Sequence, residues 1–187
     1  FEYLYVNGTD VITSPSWAKG VIYYQIFPER FCNGNRGNDP EGCKPWGSLP
    51  DREHHMGGDL QGIIQKIPYL KELGITAVEL MMPNEFQEVM MEDGADGNPY
   101  ATGTPTGRLN YWGYGAGYLF APKASYTSGK EKEPEREFKD LVKEFHKNDI
   151  EVLVELYFTG EESAALAQEA VRFWVYEYHV DGVHLSG

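Results

Sequence analysis

Three residues near the end of the chain have types that could support nucleophilic chemistry. His184 and Ser186 lie two positions apart in one short apolar run, and Glu155 lies in the preceding one. Residues at i and i+2 of a strand point to the same face, so the imidazole and the hydroxyl would be neighbours. A Ser-His-Glu arrangement can therefore be drawn. Because neighbours along one strand rarely meet the geometry that a nucleophile and its base need, a structural pair of Glu155 with His184 is the simpler interpretation.

A second set of candidate residues is aromatic. Tyr111, Trp112 and Tyr114 lie close together in a glycine-rich stretch rather than in a periodic segment. Aromatic faces in loops suit flat, weakly polar ligands such as sugars, but such side chains equally serve to pack a loop onto a sheet. The sequence allows both roles.

The elements that must position these residues alternate between strands and helices. Four short runs rich in apolar, β-branched and aromatic residues predict buried strands, and three segments with helical spacing lie between them. The predicted strands are 20–27, 75–81, 150–158 and 180–185, and the helical segments are 60–73, 134–145 and 163–174. Pro68 lies inside the first helical segment and predicts a kink or a restart there. The order β-α-β-α-β-α-β predicts an α/β fold with a parallel sheet and right-handed crossovers.

Two architectures begin in this way, the doubly wound sheet and the (β/α)8 barrel. No glycine-rich phosphate loop follows the first strand, which weakens the nucleotide-binding form of the doubly wound sheet. A complete barrel typically needs about 250 residues, whereas this chain has 187. We therefore expect a TIM-barrel type of fold of which only the first half is present, with about four βα units. Residues 1–16 are expected to be a linker or the remnant of an upstream strand, residues 17–187 the half barrel, and 84–130 a long aromatic loop after the second strand.

Several motifs in sequence order resemble the α-amylase family of glycoside hydrolases, in particular its neopullulanase, cyclomaltodextrinase and debranching group. The matching segments are Trp17–Phe31, Asn33–Asn35, Asn38–Pro40, Gly57–Ile63, Tyr69–Ala77, Tyr111–Tyr114, Phe120–Lys123 and Tyr178–Gly182. The resemblance covers nearly all of 17–187 apart from 84–110. It implies the first half of an α-amylase-type catalytic barrel, with α-glucan or maltooligosaccharide as the ligand. It also implies that Tyr114 stacks on the sugar at the cleavage point.

The resemblance further implies a calcium site in the loop after the first strand, where relatives often bind calcium through Asn and Asp oxygens and a Gly-Gly-Asp segment. The matching positions are Asn33, Asn35, Asn38, Asp39, Gly57 (through its carbonyl) and Asp59. Calcium prefers about 6–8 hard oxygen ligands in a flexible loop, and two carboxylates are enough to neutralise its charge. The alternative is that these Asn and Gly residues only form turns.

A rival metal site would bind zinc through thiols and imidazoles. Its ligands would be Cys32, Cys43, His54 and His55, although their spacing is irregular for zinc. Two cysteines are too few for a disulfide scaffold, so free thiols are the simplest expectation. One local disulfide is the alternative if the compartment is oxidising.

At the catalytic positions the chain departs from the family pattern. Relatives place an Asp nucleophile at the end of the fourth strand, two residues after an Arg, whereas this segment reads Gly182-Val183-His184-Leu185-Ser186. Retaining glycosidases need two carboxyl groups about 5–5.5 Å apart, one of them the nucleophile. A serine hydroxyl cannot replace that carboxylate unless a base activates it. The third-strand Asp of the family corresponds to Glu155.

The general acid of the family and its second Asp lie on later strands, after the position that matches Gly187. We therefore assign no catalytic residue and expect this chain alone not to hydrolyse glucan. The alternative is a non-catalytic α-glucan-binding or scaffold protein that needs a partner or a missing C-terminal half. A half barrel would leave two strand edges and an apolar inner face uncovered. We expect self-association, a missing half, or coverage of an edge by the long loop.

The charge and the hydropathy of the chain exclude some classes of binding partner. It has 29 acidic against 16 basic residues, and its formal net charge is −13. Nucleic-acid binding needs clustered Lys and Arg, so that class is excluded. No run approaches the roughly 20 apolar residues of a membrane span. Residues 1–10 lack the charged start and apolar core of a signal peptide, which slightly favours the cytoplasm.

Overall fold

The computed structural model describes residues 13–51, 53–91, 105–110, 112–115, 117–129 and 133–187. In chain order its elements are β1 (Tyr23–Ile26), α1 (Pro28–Phe31), α2 (Leu60–Gln65), α3 (Ile67–Glu72), β2 (Ala77–Leu80), β3 (Asn84–Phe86), β4 (Val89–Met91), β5 (Pro105–Leu109), β6 (Gly117–Pro122), α4 (Pro134–His146), β7 (Glu151–Tyr157), α5 (Ala164–Tyr178) and β8 (Gly182–Ser186). Most of the expected N-terminal linker, and Tyr111, lie outside the described residues.

A four-stranded parallel sheet forms the centre of the fold. Its strands lie in the order β1-β2-β7-β8, and all three pairings are parallel. The spatial order therefore follows the chain order, as in the consecutive strands of a (β/α)8 barrel. The prediction of an α/β half barrel with four strands is confirmed.

The hydrophobic core lies between one face of this sheet and the helices. The strand residues that face it alternate along each strand, as the two-residue period of a strand requires. They are Ile26, Val78, Leu80, Val152, Val154 and Leu156. Helix α4 contributes its buried stripe, Phe138, Leu141, Val142 and Phe145. Helix α5 contributes Trp174, which is fully buried.

Local sequence signals account for the ends of the helices. Pro68 lies in the first turn of α3, where its missing N–H costs nothing, so the predicted restart is confirmed. Ser163 caps α5 by accepting a hydrogen bond from the Leu166 backbone N–H at 3.2 Å. His179 ends the same helix in the left-handed conformation, with φ of 56°. No described helix has the length and hydropathy needed to cross a membrane.

The segment expected as a long loop contains regular structure. Strand β3 pairs with β6 and β4 pairs with β5, both antiparallel and both with register shifts. The Trp174 indole N–H donates to the Leu119 backbone carbonyl at 2.8 Å, which fixes β6 onto α5. Strands of three to six residues with irregular register carry too little alternation to be read from sequence.

The second face of the sheet carries a group of polar side chains, and we call it the polar face; these side chains are Gln25, Glu79, Glu155 and His184. Tyr23, Ala77, Leu153 and Tyr157 lie on the same face by register, so the expectation of an apolar inner face is met only in part. Contacts of Glu79 with the Gln25 amide and the His184 imidazole cross the strands there. In the described part of the chain, the strands of 84–130 pair with each other and not with the central sheet, and coverage of an edge by the long loop stays a prediction. Self-association and a missing half stay predictions.

Candidate functional site

Three ionisable side chains converge on the polar face from adjacent strands. Glu79 on β2, Glu155 on β7 and His184 on β8 each place one N or O atom within 4.8 Å of the others. The His184 Nδ1 lies 2.9 Å from the Glu79 Oε1. The Gln25 amide donates to the same oxygen at 3.1 Å. The hydrogen bond to Glu79 raises the pKa of His184, and the negative charges of Glu79 and Glu155 act in the same direction.

Glu79 was not among the residues predicted from the sequence. The predicted pair was His184 with Glu155, whereas the structure pairs His184 with Glu79 and leaves Glu155 beside them. A carboxylate in the middle of an otherwise apolar strand, Ala77–Leu80, is the signal that could have pointed to it. A charge at such a position needs a partner.

The Ser-His-Glu arrangement does not form. Among the described residues, no group lies within hydrogen-bond distance of the buried Ser186 hydroxyl. The His184 ring is directed to Glu79 instead. Positions i and i+2 of a strand are roughly 6.5–7 Å apart, so the ring cannot reach the hydroxyl while it contacts the neighbouring strand. The structure therefore contains no base that activates Ser186 in this part of the chain.

Tyr114 lies directly over the cluster. Its ring centroid is 5.1 Å from that of Tyr157 on β7. Its hydroxyl is hydrogen-bonded to the Glu155 carboxylate. Burial raises the pKa of Tyr114, and the negative charge of Glu155 raises it further. Tyr114 thus contacts both Tyr157 and Glu155, and its stacking on a sugar stays a prediction.

Trp112 is presented by a tight turn. Its ring is nearly parallel to that of Phe27, with centroids 5.7 Å apart, and the residue is 43% exposed. Asn110 holds the turn, because its amide donates to the Tyr114 carbonyl and accepts from the Gly113 N–H, both at 3.2 Å. Gly113 has φ of 76°, and a Cβ there would lie 2.6 Å from the Phe86 ring. Only glycine suits this position.

Trp112 lines an open cleft of about 320 Å³. Phe27, Trp46, Pro50 and Met56 also line this cleft, together with Arg30. A cleft with exposed indole faces fits the flat apolar face of a sugar ring better than it fits a charged ligand. Of the three aromatic residues predicted to bind a sugar, Trp112 and Tyr114 therefore lie near the strand ends.

Three of the predicted calcium ligands lie against one another. The Asn33 amide donates to the Asp39 Oδ1 at 2.7 Å. A Cβ on Gly57 would lie 2.5 Å from the Asn33 Nδ2 and 2.6 Å from the Asp39 Oδ1, so the Gly57 backbone touches both. Asn38 lies in the same loop, where its amide donates to the Thr127 carbonyl at 2.6 Å. The amide oxygens of Asn33 and Asn38 are buried and have no hydrogen-bond partner within the described residues. Such oxygens fit a hard cation.

The side chains of the other two predicted calcium ligands, Asp59 and Asn35, accept hydrogen bonds from backbone N–H groups. Asp59 is 1% exposed and accepts hydrogen bonds from the backbone N–H groups of Gly34, Asn35 and Gly62. Burial raises the pKa of Asp59, although these hydrogen bonds oppose the shift. The side-chain amide oxygen of Asn35 accepts a hydrogen bond from the Gly37 backbone N–H at 2.9 Å. Asp59 caps α2, and Asn35 caps a short turn.

The rival zinc site is not assembled. His54 contacts Asp51 at 3.0 Å, and the His55 Nδ1 lies 3.9 Å from Glu29. Neither Cys32 nor Cys43 belongs to a potential metal cluster in the described ranges, and the two sulfur atoms are not bonded to each other. The described geometry therefore gives the zinc alternative no support, and the redox state of the two thiols stays a prediction.

Comparisons with known proteins identify the family. The model of the alpha amylase catalytic domain matches residues 25–171. A cyclomaltodextrinase from Thermoanaerobacter pseudethanolicus is 55% identical over 80 residues, which are 43% of this chain and 14% of that protein. The structure of a cyclomaltodextrinase is similar to this chain with a TM-score of 0.69 and 25% sequence identity. The match covers 99% of this chain and 37% of that protein.

The cyclic alpha-maltosyl-(1→6)-maltose hydrolase of Arthrobacter globiformis, solved in complex with maltose, is 28% identical. Its TM-score is 0.56 over 75% of this chain and 26% of that protein. The chain thus spans a minor part of the length of the relatives it matches. Since the family model covers most of the chain and the half-barrel fold agrees with it, this chain belongs to the α-amylase family of glycoside hydrolases.

Proposed function

We propose that this chain binds α-glucan at the carboxyl ends of its parallel strands and does not by itself cleave glycosidic bonds. The observation that carries the second part is Ser186, which occupies the position of the family nucleophile. A retaining glycosidase forms a glycosyl ester with a carboxylate. The Ser186 hydroxyl has no base beside it in the described residues, so it cannot take the place of that carboxylate.

The aromatic residues support the binding part of the proposal. Trp112 stacks on Phe27 and keeps 43% of its surface exposed to the cleft. The turn that presents it is fixed by Asn110, so its ring is held in place before a ligand arrives. A preorganised aromatic face loses little side-chain entropy on binding. The Arthrobacter globiformis hydrolase, which shares this fold, was solved with maltose bound.

Titration with maltooligosaccharides and an activity assay test the two parts together. We expect calorimetric binding to weaken about tenfold in Trp112→Ala, because the stacking face is lost. Tyr176→Ala is the matched control, since Tyr176 is an aromatic residue of α5 that is 76% exposed. We expect purified chain to release no reducing sugar from starch or pullulan.

Two outcomes would contradict this proposal. If Trp112→Ala and the unchanged chain bound maltooligosaccharides with equal affinity, the binding site would not lie at the aromatic turn. Hydrolysis that disappears in Ser186→Ala would show that the serine acts as a nucleophile after all.

We also propose that the loop after β1 binds calcium through Asn33, Asn38, Asp39 and the Gly57 carbonyl. The unpartnered amide oxygens of the two asparagines support it. Asn35 and Asp59 are excluded from the set because their oxygens accept backbone hydrogen bonds. Since Asn38 also contacts Thr127, a bound ion would tie this loop to the segment before α4.

Thermal unfolding with and without calcium tests this site. At a calcium concentration a hundredfold above Kd, we expect stabilisation by about 2.7 kcal/mol. Asp39→Asn should abolish the calcium-dependent rise in Tm, because it removes the carboxylate of the site. Asp140→Asn, on the exposed side of α4, should leave the rise intact. A rise that survives in Asp39→Asn would place the ion elsewhere.

A further inference from the structure

We propose that Glu79, Glu155 and His184 bind one divalent transition-metal ion, for example Zn²⁺, on the polar face of the sheet. The site goes beyond the proposed glucan binding and does not depend on it. Each ligand comes from a different strand, β2, β7 or β8, and these strands are neighbours in the sheet. A rigid sheet fixes the three backbones, so the ligands are held in place without a loop rearrangement.

The separations of the ligand atoms fit a first-row ion. All three atoms lie within 4.8 Å of one another, and the His184 Nδ1 is 2.9 Å from the Glu79 Oε1. A tetrahedral ion about 2.1 Å from each ligand keeps the ligands about 3.4 Å apart. The Glu79–His184 pair must therefore open by about half an ångström and the other separations must close by at most about 1.4 Å, which side-chain rotation can supply.

An unsatisfied oxygen of Glu155 is the independent observation that points to a cation. Glu155 is 2% exposed, and no hydrogen-bond partner is found for its Oε2 in the described part of the chain. A buried carboxylate oxygen without a hydrogen-bond donor is costly. A metal ion at the centre of the cluster would supply both a bond and positive charge.

The donor set indicates the class of metal. One imidazole nitrogen and two carboxylate oxygens suit zinc and its neighbours, whereas calcium and magnesium prefer oxygen alone. Surrounding residues already orient the carboxylates, since Gln25 donates to Glu79 and the Tyr114 hydroxyl is hydrogen-bonded to Glu155. Such outer contacts are typical of ligands in metal sites. Three protein ligands leave one coordination position for water.

A second cluster on the molecule serves as a matched control. His146, Glu151 and Asp181 also lie within 4.8 Å of one another. None of them is buried, and the Asp181 Oδ2 already accepts a hydrogen bond from the Val152 N–H at 2.8 Å and contacts the His146 Nε2 at 2.7 Å. This cluster also offers one imidazole and two carboxylates, but none of its three side chains has an unsatisfied buried oxygen.

Calorimetric titration of the full chain with zinc sulfate tests the proposal. Saturating calcium is present throughout, so that oxygen-only sites are filled. We expect one zinc ion per chain and an affinity at least tenfold weaker in Glu155→Gln and in His184→Ala. His146→Ala and Glu151→Gln should bind zinc with the same stoichiometry and affinity as the unchanged chain. Circular dichroism of each variant without zinc shows whether it is folded.

Should Glu155→Gln fail to fold, Glu79→Gln at the more accessible ligand replaces it, with the same expected loss. Anomalous scattering at the zinc edge from zinc-soaked crystals locates the ion independently of any variant. Zinc found beside His146, no binding up to millimolar zinc, or displacement by calcium at equal concentration would each overturn the proposal.

Discussion

Replacing Trp174 by alanine is expected to lower the free energy of unfolding by about 4 kcal/mol. The side chain is fully buried at the centre of an aromatic group on α5 and α4. Its ring centroid lies 5.2 Å from that of Phe138 and 5.0 Å from that of Tyr178. Removing the indole leaves a large cavity and also an unpaired Leu119 carbonyl in the interior. Since domains are typically stable by about 5–15 kcal/mol, this loss removes between about a quarter and most of the free energy of unfolding.

Two further variants separate the contributions to this loss. Trp174→Phe keeps an aromatic ring but removes the N–H donor, so it should cost roughly half as much. Tyr176→Ala, two residues away on the exposed side of the same helix, should change the stability by less than about 0.5 kcal/mol. Urea unfolding followed by circular dichroism gives all three values. A loss in Trp174→Ala no larger than that in Tyr176→Ala would mean that this packing does not hold β6 and α5 together.

The sheet and its helices could be predicted because their signals are local and strong. Buried parallel strands appear as apolar runs, such as 150–158, and the stripe from Phe138 to Phe145 has helical spacing. The strands within 84–130 could not be read in the same way. They are short, contain glycine, and are stabilised by tertiary contacts such as the hydrogen bond from Trp174 to Leu119, which no local pattern records.

The candidate site was predicted only in part, for a different reason. Resemblance to a family gives positions, and three of the residues it singled out, Asn33, Asp39 and Gly57, are neighbours in the structure. It cannot give the partner of a residue that differs from the family. The sequence resemblance implies an arginine at the position of His184, and the imidazole of His184 contacts Glu79. Such a change of partner depends on how far a side chain extends across three neighbouring strands. The distance between two residues along the sequence does not give this information.

The role of Asp59 is the other point at which local chemistry outweighs the resemblance. An Asp immediately before an apolar helical segment is a common helix cap, and Asp59 precedes Leu60 in this way. Its carboxylate also accepts the backbone N–H groups of Gly34 and Asn35, which belong to the loop after β1. One buried side chain therefore joins the start of α2 to that loop.

Asp59→Ala is accordingly expected to lower the free energy of unfolding by about 3 kcal/mol. A helix cap alone contributes about 1 kcal/mol, and each additional buried N–H left without an acceptor costs about 1–3 kcal/mol. The cost of burying the carboxylate, which raises the pKa of Asp59, offsets part of this gain. Ser163→Ala removes the exposed cap of α5, which accepts one hydrogen bond, and should cost about 1 kcal/mol.

Chemical unfolding in the presence of a chelator distinguishes this structural role from metal binding. If Asp59 acts through the backbone, the difference between Asp59→Ala and Ser163→Ala persists without calcium, because the three N–H donors lose their acceptor in either condition. If Asp59 were instead a calcium ligand, the two variants would become similar in the chelator and differ only when calcium is added. The hydrogen bonds to Gly34, Asn35 and Gly62 favour the first result, since they leave the carboxylate oxygens little capacity for an ion.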